Sequence, residues 1–153
     1  MAAVNLVVDG YVNGKRLVYT ALMNNATSPA ITLKPTDSGC IVIVGQSTMA
    51  AVDGGTNSII LPAPSLGFNC EIIFNEAGDS TAGHNFQIQS NADNMYGNTA
   101  GVGAANAIDV TYIRRSGVAA NALVGDYVRI WSDGQYYYYF AYSGGAATPW
   151  ATA

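Results

Sequence analysis

Short apolar or alternating runs, separated by turn residues, follow one another along the chain in the pattern of an all-β fold. They predict strands over residues 17–22, 30–33, 40–44, 58–61, 70–75, 85–90, 107–113, 127–132 and 135–142. In 107–113 the apolar residues Ile108, Val110 and Tyr112 fall on one face; in 85–90 Gln87 and Gln89 alternate with Phe86 and Ile88. Residues 40–44 (Cys-Ile-Val-Ile-Val) are apolar on both faces, as in a central strand covered on both sides. No stretch sustains a helical period, so the expectation is at most a short helical turn near 118–124. No internal repeat and no interdomain linker stand out.

Glycine punctuates the runs. Asp9-Gly10, Asn13-Gly14, Asp53-Gly54 and Asp133-Gly134 are turn pairs, and Pro62 and Pro64 end a strand because proline offers no N–H to a ladder. The Asn-, Gly- and Ala-rich segment 91–107 reads as a long surface loop. The fold expected is all-β: an antiparallel, jelly-roll-like β-sandwich with a C-terminal β-hairpin and little or no helix. Residues 1–14 read as an N-terminal arm or edge strand, 15–143 as a single β-sandwich domain and 144–153 as a C-terminal tail.

The hairpin is the most informative piece. With Asp133-Gly134 as a two-residue turn, Ser132 faces Gln135, Trp131 faces Tyr136 and Tyr127 faces Phe140. One face then carries Val128, Ile130, Tyr137 and Tyr139, a candidate core. The other carries Tyr127, Arg129, Trp131, Tyr136, Tyr138 and Phe140. An uncharged aromatic run of this kind is an aggregation hazard unless covered. Its cover could be the second sheet of the same sandwich, an identical subunit, or a ligand such as a sugar stacked on the rings.

Composition sharpens this picture. The 153 residues include six Lys+Arg and ten Asp+Glu, a net charge of −4, and only 10% are charged while 50% are hydrophobic. A usual charged share is about 25%, so Asn, Thr, Ser, Gly, Ala and Tyr must cover much of the surface. Nucleic-acid binding needs a basic patch, and only Lys15-Arg16 and Arg114-Arg115 form basic pairs. No apolar run approaches the about 18 residues of a membrane span, and no secretory signal is visible at the N-terminus. A soluble protein made in a cytoplasm is the simplest expectation. Cys40 and Cys70 each open an apolar run; neighbouring strands could bring them together as a disulfide, but buried free thiols are the expectation.

The chain offers little to catalysis. His84 is the one histidine, and no nucleophile elbow accompanies it. Asp9, Asp53 and Asp133 each precede glycine and are explained by turn chemistry, Glu71 alternates out of an apolar strand, and Glu76 lies in a turn. Gly101-Val102-Gly103-Ala104-Ala105-Asn106 ends in Asn and lacks a βαβ context; Asn25-Ala26-Thr27 matches a glycosylation acceptor without a signal peptide to support it. No catalytic residue, cofactor or metal is expected.

The stretch Ser58-Ile59-Ile60-Leu61-Pro62-Ala63-Pro64-Ser65-Leu66-Gly67-Phe68-Asn69-Cys70-Glu71-Ile72-Ile73-Phe74 resembles a pattern in structural proteins of tailed bacteriophages. There a strand ends in Leu-Pro-x-Pro, followed by Gly and a second apolar strand. Asn94-Met95-Tyr96-Gly97 and the hairpin from Gly125-Asp126 through Ser132-Asp133-Gly134 are similar to the same proteins. The resemblance covers residues 58–142 and carries over no functional residue. It implies a non-enzymatic virion component, foremost a capsid decoration (cement) protein. Such a protein is often a homotrimer bound over junctions of the major capsid protein, on the capsid surface of a virion assembled in the host cytoplasm. Neither nucleic acid nor membrane is an expected partner.

Two features fit that role. The aromatic hairpin face, Tyr127, Arg129, Trp131, Tyr136, Tyr138 and Phe140, is a candidate subunit or partner interface. The apolar N-terminal residues Val4, Leu6 and Val8 suit an arm that adds a strand to the capsid, although they serve equally as a first strand of the chain's own sheet. The alternatives are a carbohydrate-binding adhesin or a short fibre or spike subunit using the aromatic face. A polysaccharide-cleaving enzyme would need two carboxylates across a cleft.

Overall fold

The computed structural model describes residues 10–12, 15–20, 30–45, 56–77, 85–100, 106–116, 122–144 and 150–152. Among them are β1 (Gly10–Val12), β2 (Lys15–Thr20), β3 (Ala30–Thr32), β4 (Cys40–Val44), β5 (Thr56–Ile60), β6 (Asn69–Phe74) and β7 (Asn85–Gln89). Then come β8 (Met95–Ala100), β9 (Asn106–Val110), β10 (Tyr112–Arg115), β11 (Tyr127–Ser132), β12 (Tyr137–Tyr142) and β13 (Trp150–Thr152). The helical content of the described residues is one 3-10 turn, Pro35–Asp37, opened by proline and closed by Lys34 N–H donating to the Asp37 carboxylate at 2.8 Å. The all-β class is as expected. The helical turn expected near 118–124 falls largely outside the described residues.

The strands form a larger sheet, β1-β2-β4-β6-β11-β12-β8-β9, and a smaller one, β13-β10-β7-β5-β3. Pairing within them is mixed, which corrects the uniformly antiparallel, jelly-roll-like expectation. From β2 to β8 successive strands alternate between sheets. Consequently β2, β4 and β6 pair in parallel on one side, and β3, β5 and β7 in parallel on the other. Parallel neighbours need a long crossover; here each crossover is a strand of the opposite sheet, so the chain winds as a flattened coil. Antiparallel β11 and β10 then pair with β6 and β7.

The coil contains a repeat that the sequence reading missed. Ala30, Ile31 and Thr32 pair with Ser58, Ile59 and Ile60, and Cys40 to Val44 pair with Cys70 to Phe74. Between them Gly39 and Gly67 take the same left-handed turn, φ 81° and 80°. The second copy carries Phe68 and Asn69 as extra residues, which hid the match. Leu33 and Leu61 end the two copies of the strand alike, donating to the carbonyls of Ile60 and Gln89 at 2.9 and 2.8 Å. Spacing of about 20–50 residues is the range of coiled repeat architectures.

Inward residues of both sheets share one core, with Val42, Ile72, Phe74, Val128 and Ile130 from the larger sheet and Ile59, Phe86, Ile88 and Ile113 from the smaller. Phe74 meets Phe86 edge-on at 5.2 Å and Trp150 at 6.0 Å across the interior. Strand β4 is central, but Ile41 and Ile43 on its outer face are only partly buried rather than fully covered. Cys40 and Cys70 are both buried, are not joined in a disulfide, and are direct register partners.

Three further expectations change. The 91–107 segment is not a loop throughout: it holds β8, whose Met95 and Thr99 are buried, and the first residues of β9. Gly97 makes β8 possible, because a Cβ there would lie 2.2 Å from the Tyr139 carbonyl oxygen. The run 107–113 is not one strand. The chain crosses from the larger to the smaller sheet at Thr111, so Val110 and Ile113 both point inward. Within 144–153, which showed no regular pattern, Trp150–Thr152 add an edge strand to β10 and bury Trp150. At the other end Gly10–Val12 form an edge strand on β2; Val4, Leu6 and Val8 lie outside the described residues, as do Asn25 and His84.

One buried ion pair ties the two sheets. Arg115 Nε donates to Asp126 at 2.9 Å, its terminal nitrogen to the carbonyls of Leu123 and Glu76 at 2.7 and 3.2 Å, and its guanidinium lies 4.2 Å from the Phe74 ring centre. Burial pulls the Arg115 pKa down while Asp126 opposes the fall. With Arg115 in the core, the Arg114-Arg115 pair offers one surface cation rather than two.

Candidate functional site

Alternation in β11 and β12 splits the hairpin into the two faces expected, but by a different register. Ser132 pairs with Tyr137, Trp131 with Tyr138, Arg129 with Phe140 and Tyr127 with Tyr142. The expected pairing is displaced by two residues because the turn is longer. The Asp133 carboxylate accepts the N–H groups of Gln135 and Tyr136 at 2.9 and 2.8 Å, closing a loop over 133–136 with Gly134 at φ 100°. A displacement of two preserves facing, since side chains alternate with period two. Val128, Ile130, Tyr137 and Tyr139 are buried, and the six aromatic-face residues point away from the core.

That outward face extends across neighbouring strands in register rows. The first row is Asn69, Trp131, Tyr138 and Tyr96; the second is Glu71, Arg129, Phe140 and Asn98; the third is Ile73, Tyr127 and Tyr142. Tyr136, in the turn, meets Tyr96 edge-on at 5.0 Å. All six residues expected on this face are on it. Asn69, Glu71, Ile73, Tyr96, Asn98 and Tyr142 complete it and were not assigned to this face from sequence; Tyr142 continues the alternation, whereas the others required the strand order.

The rings are mutually organised. Trp131 and Tyr138 stack at 6.3 Å and 21°, Tyr127 and Tyr142 at 5.5 Å and 26°. The Tyr138 hydroxyl donates to Asp133 at 2.9 Å, and the Gln135 amide to the Tyr136 hydroxyl at 2.8 Å. Asp133 thus accepts three bonds, its backbone donors foremost, and its carboxyl is held below the usual range; the same contact raises the Tyr138 phenol. Arg129 donates to Glu71 at 3.2 Å and lies 5.3 Å from the Tyr127 ring centre. With the Arg129 side chain 62% exposed, such a pair is worth about 0–1 kcal/mol.

The smaller sheet packs on the opposite side of the larger one, so among the described residues the chain's own second sheet does not cover this face. Trp131 is 48% and Tyr142 42% exposed. Exposed Leu123 and Val124 adjoin the Tyr127–Tyr142 end, where Leu123 accepts the Asp126 N–H. The outward side of the smaller sheet carries Gln87, Gln89 and Arg114, with Tyr112 and Ile60 flanking Gln89 in register.

Beside Trp131 lies a pocket of about 170 Å³ lined by Asn69, Glu71, Arg129 and Trp131, over Cys40, Cys70 and Ile130. The thiols beneath it are protected: the hydrogen bond with Cys40, then burial, push the Cys70 pKa well above the usual range. Among the described residues no three His, Cys, Asp or Glu side chains gather as a metal site. Comparison with protein-family models, curated proteins and solved structures finds no match to this chain.

Proposed function

We propose that this chain is a non-enzymatic structural protein of a virion, a capsid decoration protein that assembles as a homotrimer and binds the major capsid protein at the outer surface of the head. It would do so on a two-sheet sandwich, through the aromatic outer face of the larger sheet. The observation that carries this reading is the asymmetry between sheets: among the described residues one outward side is mainly polar, with Tyr112 and Ile60 beside Gln89, and the other presents Tyr127, Phe140 and Tyr142 together at one end of an aromatic face. Exposed apolar patches of this kind mark interaction surfaces.

Magnitudes set what the face must do. Four strands about 4.8 Å apart, each rising about 3.3 Å per residue, make a flat face of roughly 400 Å². Two such faces bury about 800 Å², short of the about 1,000 Å² that a specific interface clears. The contact is centred at the Tyr127–Tyr142 end, where Leu123, Val124 and Ile73 enlarge it. The remaining area is assigned to the contact with the capsid. Light scattering at micromolar concentration tests this: a mass three times the 15.9 kDa chain is expected, and a single-chain mass would remove the reading.

A further inference from the structure

The pocket beside Trp131 differs in chemistry from the rest of the face. Its rim is planar and polar: the Asn69 amide, the Glu71 carboxylate and the Arg129 guanidinium. Its wall is an indole, half exposed and braced from one side by Tyr138 at 6.3 Å. The amide nitrogen of Asn69 donates to the Gly67 carbonyl at 3.0 Å, which fixes that side chain. Glu71 and Arg129 hold one another at 3.2 Å. Aromatic wall and hydrogen-bonding rim therefore sit on adjacent, fully paired strands, and neither needs a loop to form.

The occupant follows from the sum of these groups. The paired Glu71 and Arg129 leave the rim without net charge, so it has no preference for phosphate or another anion. A purely apolar ligand would strand the rim's donors and acceptors, which is costly. A pyranose has what remains: an apolar C–H face to lie on an indole, and neutral hydroxyls at its edge for a carboxylate, an amide and a guanidinium. About 170 Å³ is below the roughly 300–1,000 Å³ of pockets for drug-sized ligands, which suits a single ring. Tyr138 and Tyr96 continue the Trp131 row across two more strands and would carry the next unit of an oligosaccharide.

We propose that Asn69, Glu71, Arg129 and Trp131 form a binding site for a neutral hexopyranose unit of a glycan. This goes beyond the structural role, since a subunit contact centred on Tyr127 and Tyr142 leaves the Trp131 corner free to hold a second partner.

Saturation-transfer NMR on the native chain tests the site with millimolar glucose, galactose, mannose and N-acetylglucosamine, their linear oligosaccharides, and galacturonate as an acidic control. Transfer to the ring C–H protons of at least one neutral sugar is expected, with galacturonate weaker. Trp131→Ala should weaken binding by about tenfold or more, Asn69→Ala should weaken it less, and Trp131→Phe should retain it. The molar mass of Trp131→Ala should equal that of the native chain, which separates this site from the oligomer contact. No transfer from any neutral sugar, or Trp131→Ala binding as the native chain does, overturns the proposal. A monomeric native chain that still binds sugar would instead overturn the trimer and leave this site standing.

Discussion

Gly39 and Gly67 hold the same left-handed backbone, φ 81° and 80°, at the same point of successive turns of the coil. Each lies between a strand of the smaller sheet and one of the larger, where the chain changes layers. Left-handed backbone crowds a Cβ against the following carbonyl, so glycine is favoured there.

A Cβ at either glycine would meet nothing within 4 Å. Gly39→Ala and Gly67→Ala should therefore each cost about 1–2 kcal/mol from backbone strain alone, measured by chemical denaturation. Gly97→Ala should behave differently. Its Cβ would lie 2.2 Å from the Tyr139 carbonyl oxygen and 2.6 Å from its ring, so it should cost more than either turn variant.

Much of this architecture was legible in the sequence, and particular residues show why the rest was not. Burial alternates with period two, so Val128, Ile130, Tyr137 and Tyr139 could be assigned inward even with the hairpin register displaced by two residues. The displacement came from the Asp133 side chain, whose two backbone bonds stabilise a longer turn than Asp-Gly alone suggests. Strand β8 escaped notice because its buried positions, Met95 and Thr99, flank Gly97, a residue weak in strands generally but required under Tyr139. The repeat was hidden by Phe68 and Asn69. Parallel pairing has no local signature, since it joins residues a full turn of the coil apart. Asn69 and Glu71 could not be placed beside Trp131 and Arg129 for another reason: β6 and β11 are antiparallel but join Glu71 to Arg129, 58 apart in sequence, with no short turn between the strands to set the pairing.

Breaking the Arg115–Asp126 pair should be expensive. Arg115 is fully buried, and removing one partner leaves the other charge uncompensated, at about 3–5 kcal/mol. Asp126→Asn and Arg115→Leu should each lower stability on this scale in urea denaturation, whereas Arg129→Leu, with an exposed side chain, should change it by less than about 1 kcal/mol.

The two cysteines should be silent in the folded state. Both are buried, and the Cys70 thiol is held protonated well above its usual pKa. An aromatic disulfide reagent at neutral pH should titrate neither in the native chain and both in denaturant. Fast native-state labelling would contradict their burial.

Alkaline pH should destabilise the fold through its buried phenols. Burial raises the Tyr139 pKa from an ordinary 10 to about 12, and raises Tyr137 as well. A folded pKa above the unfolded one stabilises fully below about pH 10, and that stability is lost as pH rises toward 12. Among the described residues the buried Tyr139 hydroxyl meets no hydrogen-bond partner. Tyr139→Phe should accordingly be neutral or stabilising at pH 7 and should reduce the alkaline loss, read as melting temperature against pH.

The contact reading meets its most direct test in hydroxyl-radical footprinting of the native chain at micromolar and at high dilution, read residue by residue by mass spectrometry. Tyr127 and Tyr142 are expected to be several-fold less reactive in the concentrated, assembled sample, with Trp131 changing little. Equal reactivity of Tyr127 and Tyr142 at both concentrations, with an assembled mass in the first, would place the contact elsewhere and contradict the aromatic face as the assembly surface.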